Sequence, residues 1–163
     1  SYFNLANAHR LSSNFEEAIQ AYQDAIALDP QASEAHNNLG LTYEQINDYG
    51  KAVNSFREAV ELKPDYAEAW YNLGNAYKHK NELDSAIDAY ERAVHLGPDM
   101  TLALFFMGGC YFQKKNYDQA LEYLEKACDK DQSLAQKVSS LLDQFRSIQG
   151  EIQTKIDEVF ENK

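Results

Sequence analysis

Apolar residues in this chain recur at i, i+3, i+4 and i+7 in stretches about a dozen residues long, the period of one buried face on an α-helix. Trp70, Leu73, Ala76 and Tyr77 share one such face, and Leu83, Ala86, Ile87, Tyr90, Ala93 and Val94 share the next. Polar turn residues separate the stretches: Ser12-Ser13-Asn14, Asn47-Asp48, Asn81-Glu82 and Lys115-Asn116. Asn14 with Glu17, and Asn116 with Gln119, have the spacing of a helix N-cap and its return acceptor; Asp65 with Glu68 has it for the first helix of a pair. The pattern predicts antiparallel helix pairs.

The pairs repeat. Pro30, Pro64 and Pro98 are the only prolines and stand 34 residues apart; each falls where a second helix must stop, because proline disfavours helical geometry in the residue before it. Two alanine columns keep the same step, Ala18, Ala52, Ala86, Ala120 and Ala25, Ala59, Ala93, Ala127. So do Leu5, Leu39, Leu73, Met107, each followed by a small residue (Ala6, Gly40, Gly74, Gly108). Glycine inside a helix costs about 1 kcal/mol against alanine, so these positions predict close approach of a neighbouring helix, with facing aromatics filling the remaining space. Further columns are His9, Tyr43, Tyr77, Tyr111; Phe15, Tyr49, Leu83, Tyr117; Tyr22, Phe56, Tyr90, Leu124; and Tyr2, His36, Trp70, Leu104.

At these residues the chain resembles the tetratricopeptide repeat family, whose pattern runs W-x2-L-G-x2-Y, then A-x3-F, A and P. The stretch Trp70-Tyr71-Asn72-Leu73-Gly74-Asn75-Ala76-Tyr77 follows it almost letter for letter. Four copies are expected, about 1–32, 33–66, 67–100 and 101–134, then a capping helix with an amphipathic extension over 135–163. The fourth copy departs from the pattern, with Gln132 in the proline place and Lys130 where the others have leucine. The resemblance implies an all-α fold, a right-handed superhelical solenoid of antiparallel helix pairs (an α-α superhelix), with first helices on the concave wall.

On that wall the resemblance places Asn4, Asn38, Asn72 and Phe106 in one column, and Asn7, Leu41, Asn75 and Gly109 in another. Beside them run Phe3, Asn37, Tyr71, Phe105 and, one turn on, Arg10, Glu44, Lys78, Phe112. The groove is expected to pass from amide-lined to aromatic along the chain. An asparagine carries a donor and an acceptor on one short side chain, so a ladder of them suits both the N–H and the C=O of an extended peptide. The candidate peptide-binding residues are Asn4, Asn7, Asn38, Tyr71, Asn72, Asn75, Phe105, Phe106 and Phe112. Three phenylalanines on one helix cannot all enter one seam: either some face the groove, or the last segment of the chain covers them.

Some family members hold the acidic C-termini of heat-shock chaperones with a clamp of Lys, Asn, Asn, Lys and Arg. Its asparagine places match Asn7 and Asn38, but its basic places hold Phe3, Glu68 and Asn72, so the charge-assisted bonds a carboxylate needs are missing.

Charge narrows the partners. A net charge of −11 argues against nucleic acid, which selects basic faces, and would repel an acidic peptide. Residues 1–64 hold four basic and nine acidic side chains and 65–132 hold seven and twelve, so no polybasic segment addresses a membrane surface. No apolar run approaches the ~20 residues of a span, and no signal peptide is visible. A cytoplasmic location is expected, with the periplasm left open. The chain opens inside the first helix of a repeat, as expected of a fragment of something longer.

Catalysis finds little support. His9, His36, His79 and His95 fall at different repeat places without metal-ligand spacing, and Cys110 and Cys128 read as buried thiols. No catalytic, cofactor or metal residues are expected, and no enzyme activity.

After Leu134 the repeat lapses, but Val138, Leu141, Leu142, Phe145, Ile148, Ile152, Ile156, Val159 and Phe160 continue an apolar stripe. A helix over 134–160 would run about 40 Å. Its distal part, Ile148, Ile152, Ile156, Val159 and Phe160, is a candidate self-association surface; it either folds back at Gly150 onto the groove, pairs with a second copy, or leads into a following domain. The expected function is a protein-binding scaffold taking a peptide in the groove, with an oligomerisation module and the substrate-reading arm of a larger enzyme as the alternatives.

Overall fold

Three-residue turns dominate the architecture of this chain. In the computed structural model, which describes residues 1–97, 100–135, 138, 139, 143, 146–148, 150 and 151, every regular element among those residues is helical. α1 (Tyr2–Leu11) turns into α2 (Phe15–Leu28), α3 (Ser33–Gln45) into α4 (Tyr49–Leu62), α5 (Ala67–His79) into α6 (Leu83–Leu96), and α7 (Thr101–Gln113) into α8 (Tyr117–Lys130). A connection this short between two helices packed along their length forces them antiparallel. Each turn carries one left-handed residue in the same place: Ser13, Asn47, Asn81 and Lys115, all with φ near 60°. Asparagine tolerates that region; serine and lysine are held there by the repeat.

Capping differs from copy to copy. Asn116 accepts from the Gln119 amide at 3.4 Å, and Asp48 from Lys51 at 3.2 Å. Asn14 occupies the N-cap of α2 but makes no side-chain cap bond, and α5 is capped by Tyr66, one residue beyond the expected Asp65. α2 and α4 end at Leu28 and Leu62, and the residue before each proline is extended (Asp29 φ −138°, Lys63 φ −134°). Pro98 lies outside the described residues.

Packing follows chain order: helices of a pair pack together, and each second helix packs on the next first helix. The seam inside a pair explains the small-residue column. A Cβ built on Gly40 would lie 2.6 Å from the Phe56 ring, on Gly74 2.6 Å from Tyr90, and on Gly108 2.6 Å from Leu124. The missing methyl is the space the facing side chain occupies. Ala18, Ala52, Ala86 and Ala120 are fully buried on the opposing helices, as are Ala59, Ala93 and Ala127; Ala25 alone of its column is only half-buried. The Trp/His column ties the second and third helix pairs to the loop before each: Trp70 Nε1 donates to the Pro64 carbonyl at 3.0 Å, and a His36 ring nitrogen lies 3.3 Å from that of Pro30.

The two ends differ. At the first pair Leu5, Leu11 and Leu28 are 50%, 77% and 74% exposed. At the last pair, Leu134 and Val138 are buried against α7 and α8. Residues 132–135, 138, 139, 143, 146–148, 150 and 151 are helical. Leu141, Leu142, Phe145, Ile152, Ile156, Val159 and Phe160 lie outside the described residues; Ile148 is helical and half-buried.

Candidate functional site

The first helices touch one another, α1 with α3 and α3 with α5, whereas no comparable contact joins α2 with α4 or α4 with α6 among the described residues. The stack therefore bends toward its odd-numbered helices, and their free faces form its inner wall.

Along that wall the amides are tied into two groups. Asn7 Oδ1 accepts from the Tyr22 hydroxyl at 2.5 Å and from Asn38 Nδ2 at 3.0 Å. Its oxygen is thus engaged twice, and its amide nitrogen donates no hydrogen bond to the described residues. Asn72 Nδ2 donates to Asn37 Oδ1 at 3.0 Å, and both residues are buried. The Asn37 Nδ2 is buried without a hydrogen-bond partner. Asn4 is exposed and Asn38 half-buried. The wall thus brings Asn7 and Asn38 together as a surface pair, while Asn72 bonds inward across to the preceding pair of helices.

Asn75 repeats the Asn7 arrangement two copies later. Tyr90, 15 residues on as Tyr22 is from Asn7, donates its hydroxyl to Asn75 Oδ1 at 2.7 Å. Burial pushes the Tyr90 phenol well above its ordinary value, so it remains a donor at any physiological pH. The intervening and final copies hold Leu41 with Phe56, and Gly109 with Leu124, pairs that have no such bond to make. A tyrosine on the second helix opposite an asparagine on the first, 15 residues apart, was visible in the columns as a pairing, but its hydrogen bond was missed.

The phenylalanines divide. Phe106 faces the groove beside Tyr71 and Tyr90, with ring centroids 6.3 and 6.1 Å away. Phe105 and Phe112 pack with the cluster that Val138 joins, and Phe105 also with that of Leu134. Phe106 thus packs with the aromatics of α5 and α6, and Phe105 and Phe112 with clusters that α8 shares with Leu134 and Val138. All three are half-buried.

Phe106 also borders a cavity of about 280 Å³ between α3, α5 and the start of α4. Glu44 and Lys78 face it from the C-terminal ends of α3 and α5. The Lys78 ammonium sits 3.8 Å from the Phe106 centroid, a cation–π contact. Desolvation raises the Glu44 carboxyl to about 7, against a smaller opposing pull from Lys78, and burial lowers Lys78. No hydrogen bond or ion pair joins these two side chains among the described residues. Tyr49 and His79 stack at the rim, centroids 4.6 Å apart and nearly parallel. Glu44, Lys78, Tyr49 and His79 were not among the expected site residues; the column Arg10, Glu44, Lys78, Phe112 was the signal that contained two of them. Among the described residues no cluster of three or more His, Cys, Asp or Glu side chains is placed to hold a metal, and no helix is long and apolar enough to cross a membrane.

Profiles of the tetratricopeptide repeat match residues 42–101 and 81–135, and a second TPR profile matches 6–47. A search of curated proteins gave no match. Among solved structures, the crystal structure of MamA is 29% identical, with a TM-score of 0.78 over 83% of this chain and 79% of that one. MamA from Desulfovibrio magneticus RS-1, residue 41 to its end, is 23% identical, TM-score 0.75, over 81% and 75%. The first TPR of Spaghetti (RPAP3), bound to the HSP90 peptide SRMEEVD, is 22% identical, TM-score 0.68, over 70% and 90%. The last two likenesses speak to the fold alone.

Proposed function

Since this chain belongs to the tetratricopeptide repeat family, whose fold supports protein–protein interaction, we propose that it is a non-catalytic scaffold holding an extended segment of a partner protein along its inner wall. The observation that carries this reading is the pair of oriented amides. Tyr22 and Tyr90 each occupy an asparagine oxygen, Asn7 and Asn75. An oxygen so held fixes the amide plane and leaves the nitrogen as a donor, which is what a carbonyl of an extended chain requires. Fixing the donor beforehand lowers the ordering cost of binding. Phe106 and Tyr71, further along, give an apolar side chain a place to rest.

The partner is of ordinary or basic character. The basic places of the chaperone clamp hold Phe3, Glu68 and Asn72 here, and the chain carries a charge of −11, so an acidic C-terminus such as the peptide in the RPAP3 structure lacks its counter-charges.

An affinity capture with matched baits tests the reading. One bait carries Asn4→Ala, Asn38→Ala and Lys78→Ala on the inner wall; another carries Arg57→Ala and Arg92→Ala on the second helices. Circular dichroism first establishes that both fold. A partner kept by the parent and the second bait, and lost by the first, is the expected result. A partner kept by the first bait and lost by the second overturns the inner wall as the binding surface.

A further inference from the structure

We propose that the cavity between the C-terminal ends of α3 and α5 is a subsite for a side-chain carboxamide, an asparagine or glutamine of the bound segment. The inference rests on the inner wall being the binding surface.

Two opposite charges share this cavity without bonding to each other. Glu44 and Lys78 line one cavity of about 280 Å³, half-buried, with no bond between them. Lys51, Lys80, Lys114 and Lys126 each have an acidic partner within ion-pair distance. Lys78 rests on the Phe106 ring instead. An occupant must therefore meet a carboxylate and an ammonium at once. A carboxylate occupant would satisfy Lys78 but set a like charge against Glu44. An ammonium or guanidinium would do the reverse. In a partly desolvated site like charges repel strongly. A carboxamide offers an acceptor to Lys78 and two donors to Glu44 without adding charge.

The neighbouring groups fit the same occupant. Asn75 lies three residues before Lys78 on α5, so both sit on one helix face. Its oxygen is held by Tyr90, leaving its nitrogen as a second donor beside Lys78. Tyr71 and Phe106, ring centroids 6.3 Å apart, supply flat surfaces on which a planar amide can lie. Ionised Glu44 is needed for the discrimination, and its carboxyl, raised to about 7, is largely deprotonated at pH 8.

The test is a selection from a displayed library of random dodecapeptides at pH 8, followed by binding of the enriched peptide and its variants to the purified protein. Enrichment of Asn or Gln at one fixed position is expected. Replacing that residue by Glu or by Lys should weaken binding about tenfold or more, the scale of a modest charge mismatch. On a Glu44→Gln protein, which changes the site's charge and hardly its size, the Glu-substituted peptide should recover most of its loss and the Lys-substituted peptide should not. Enrichment of acidic or basic residues at that position, or a Glu-substituted peptide that binds Glu44→Gln as weakly as it binds the parent, overturns the carboxamide assignment while leaving the groove intact. A selection that yields no inner-wall binder overturns the groove reading itself.

Discussion

The seam inside each helix pair and the inner wall of the stack are made from the same helices, yet they obey different rules. Along the seam the last three copies agree: a Cβ added to Gly40, Gly74 or Gly108 would meet one large residue of the partner helix at the same distance, 2.6 Å. Along the wall they disagree, Asn7 giving way to Leu41, Asn75 and Gly109, and Arg10 to Glu44, Lys78 and Phe112. A position that must fit its neighbour in every copy repeats. A position free of that constraint is free to vary. Periodicity along this chain therefore reports packing, and the inner wall is where it breaks.

Substitutions in the seam should therefore cost stability, and substitutions on the wall should cost binding. Gly74→Val places two methyl groups where the Tyr90 ring stands, and should destabilise by about 3 kcal/mol, at the upper end of overpacking; urea unfolding monitored by circular dichroism reads it. A midpoint within error of the parent would break the distinction. Ala86→Leu, at a fully buried column position, should cost about 1–3 kcal/mol by the same measurement.

On the wall, Glu44→Gln should do the opposite. Because the folded carboxyl is raised to about 7 from an ordinary 4.5, the folded state holds the proton more tightly than the unfolded one. Its stability contribution is full below about pH 4.5 and declines as pH rises to about 7. Removing the ionisable group should flatten that part of the pH–stability curve and stabilise the protein at pH 8 by about 1 kcal/mol, after allowance for the exposure of the site. Urea midpoints at pH 5 and pH 8 give the two slopes; an unchanged slope would show that Glu44 is better solvated than its position implies.

Tyr90→Phe probes the boundary between the two regions, since its ring belongs to the seam and its hydroxyl to the wall. It should cost about 1 kcal/mol in stability and a larger fraction of peptide affinity, because Asn75 loses the bond that orients it. The smallest effect separates two turns: Asn116→Ala, which removes a cap bond, should cost about 1 kcal/mol, and Asn14→Ala, which removes none, only a few tenths.

The helix pairs and their turns were legible in the sequence because the 34-residue step makes each column a repeated experiment. Gly74 already implied a close approach, and the structure supplies the ring it approaches. Asp65 misled as a cap because its spacing to Glu68 fits the motif, whereas the helix begins one residue later, after Tyr66. The wall was less legible. Asn4, Asn38 and Asn72 share a column, yet Asn72 is buried against Asn37 and Asn4 is exposed, since depth on the wall depends on the neighbouring copy. The Glu44–Lys78 cavity was hidden for the same reason: its two charges lie in different copies, and only stacking places them face to face.

Side-chain amide NMR separates binding on the inner wall from packing in the seam. The NH2 resonances of Asn4, Asn7, Asn38 and Asn75 would be followed, with backbone amides, while a selected peptide is titrated in. Saturable shifts of those side-chain resonances and of α3, α5 and α7 are expected, with α2, α4 and α6 changing little on their outward faces. Shifts concentrated around Arg57 and Arg92, with the asparagine resonances unmoved, would put the binding surface on the second helices instead.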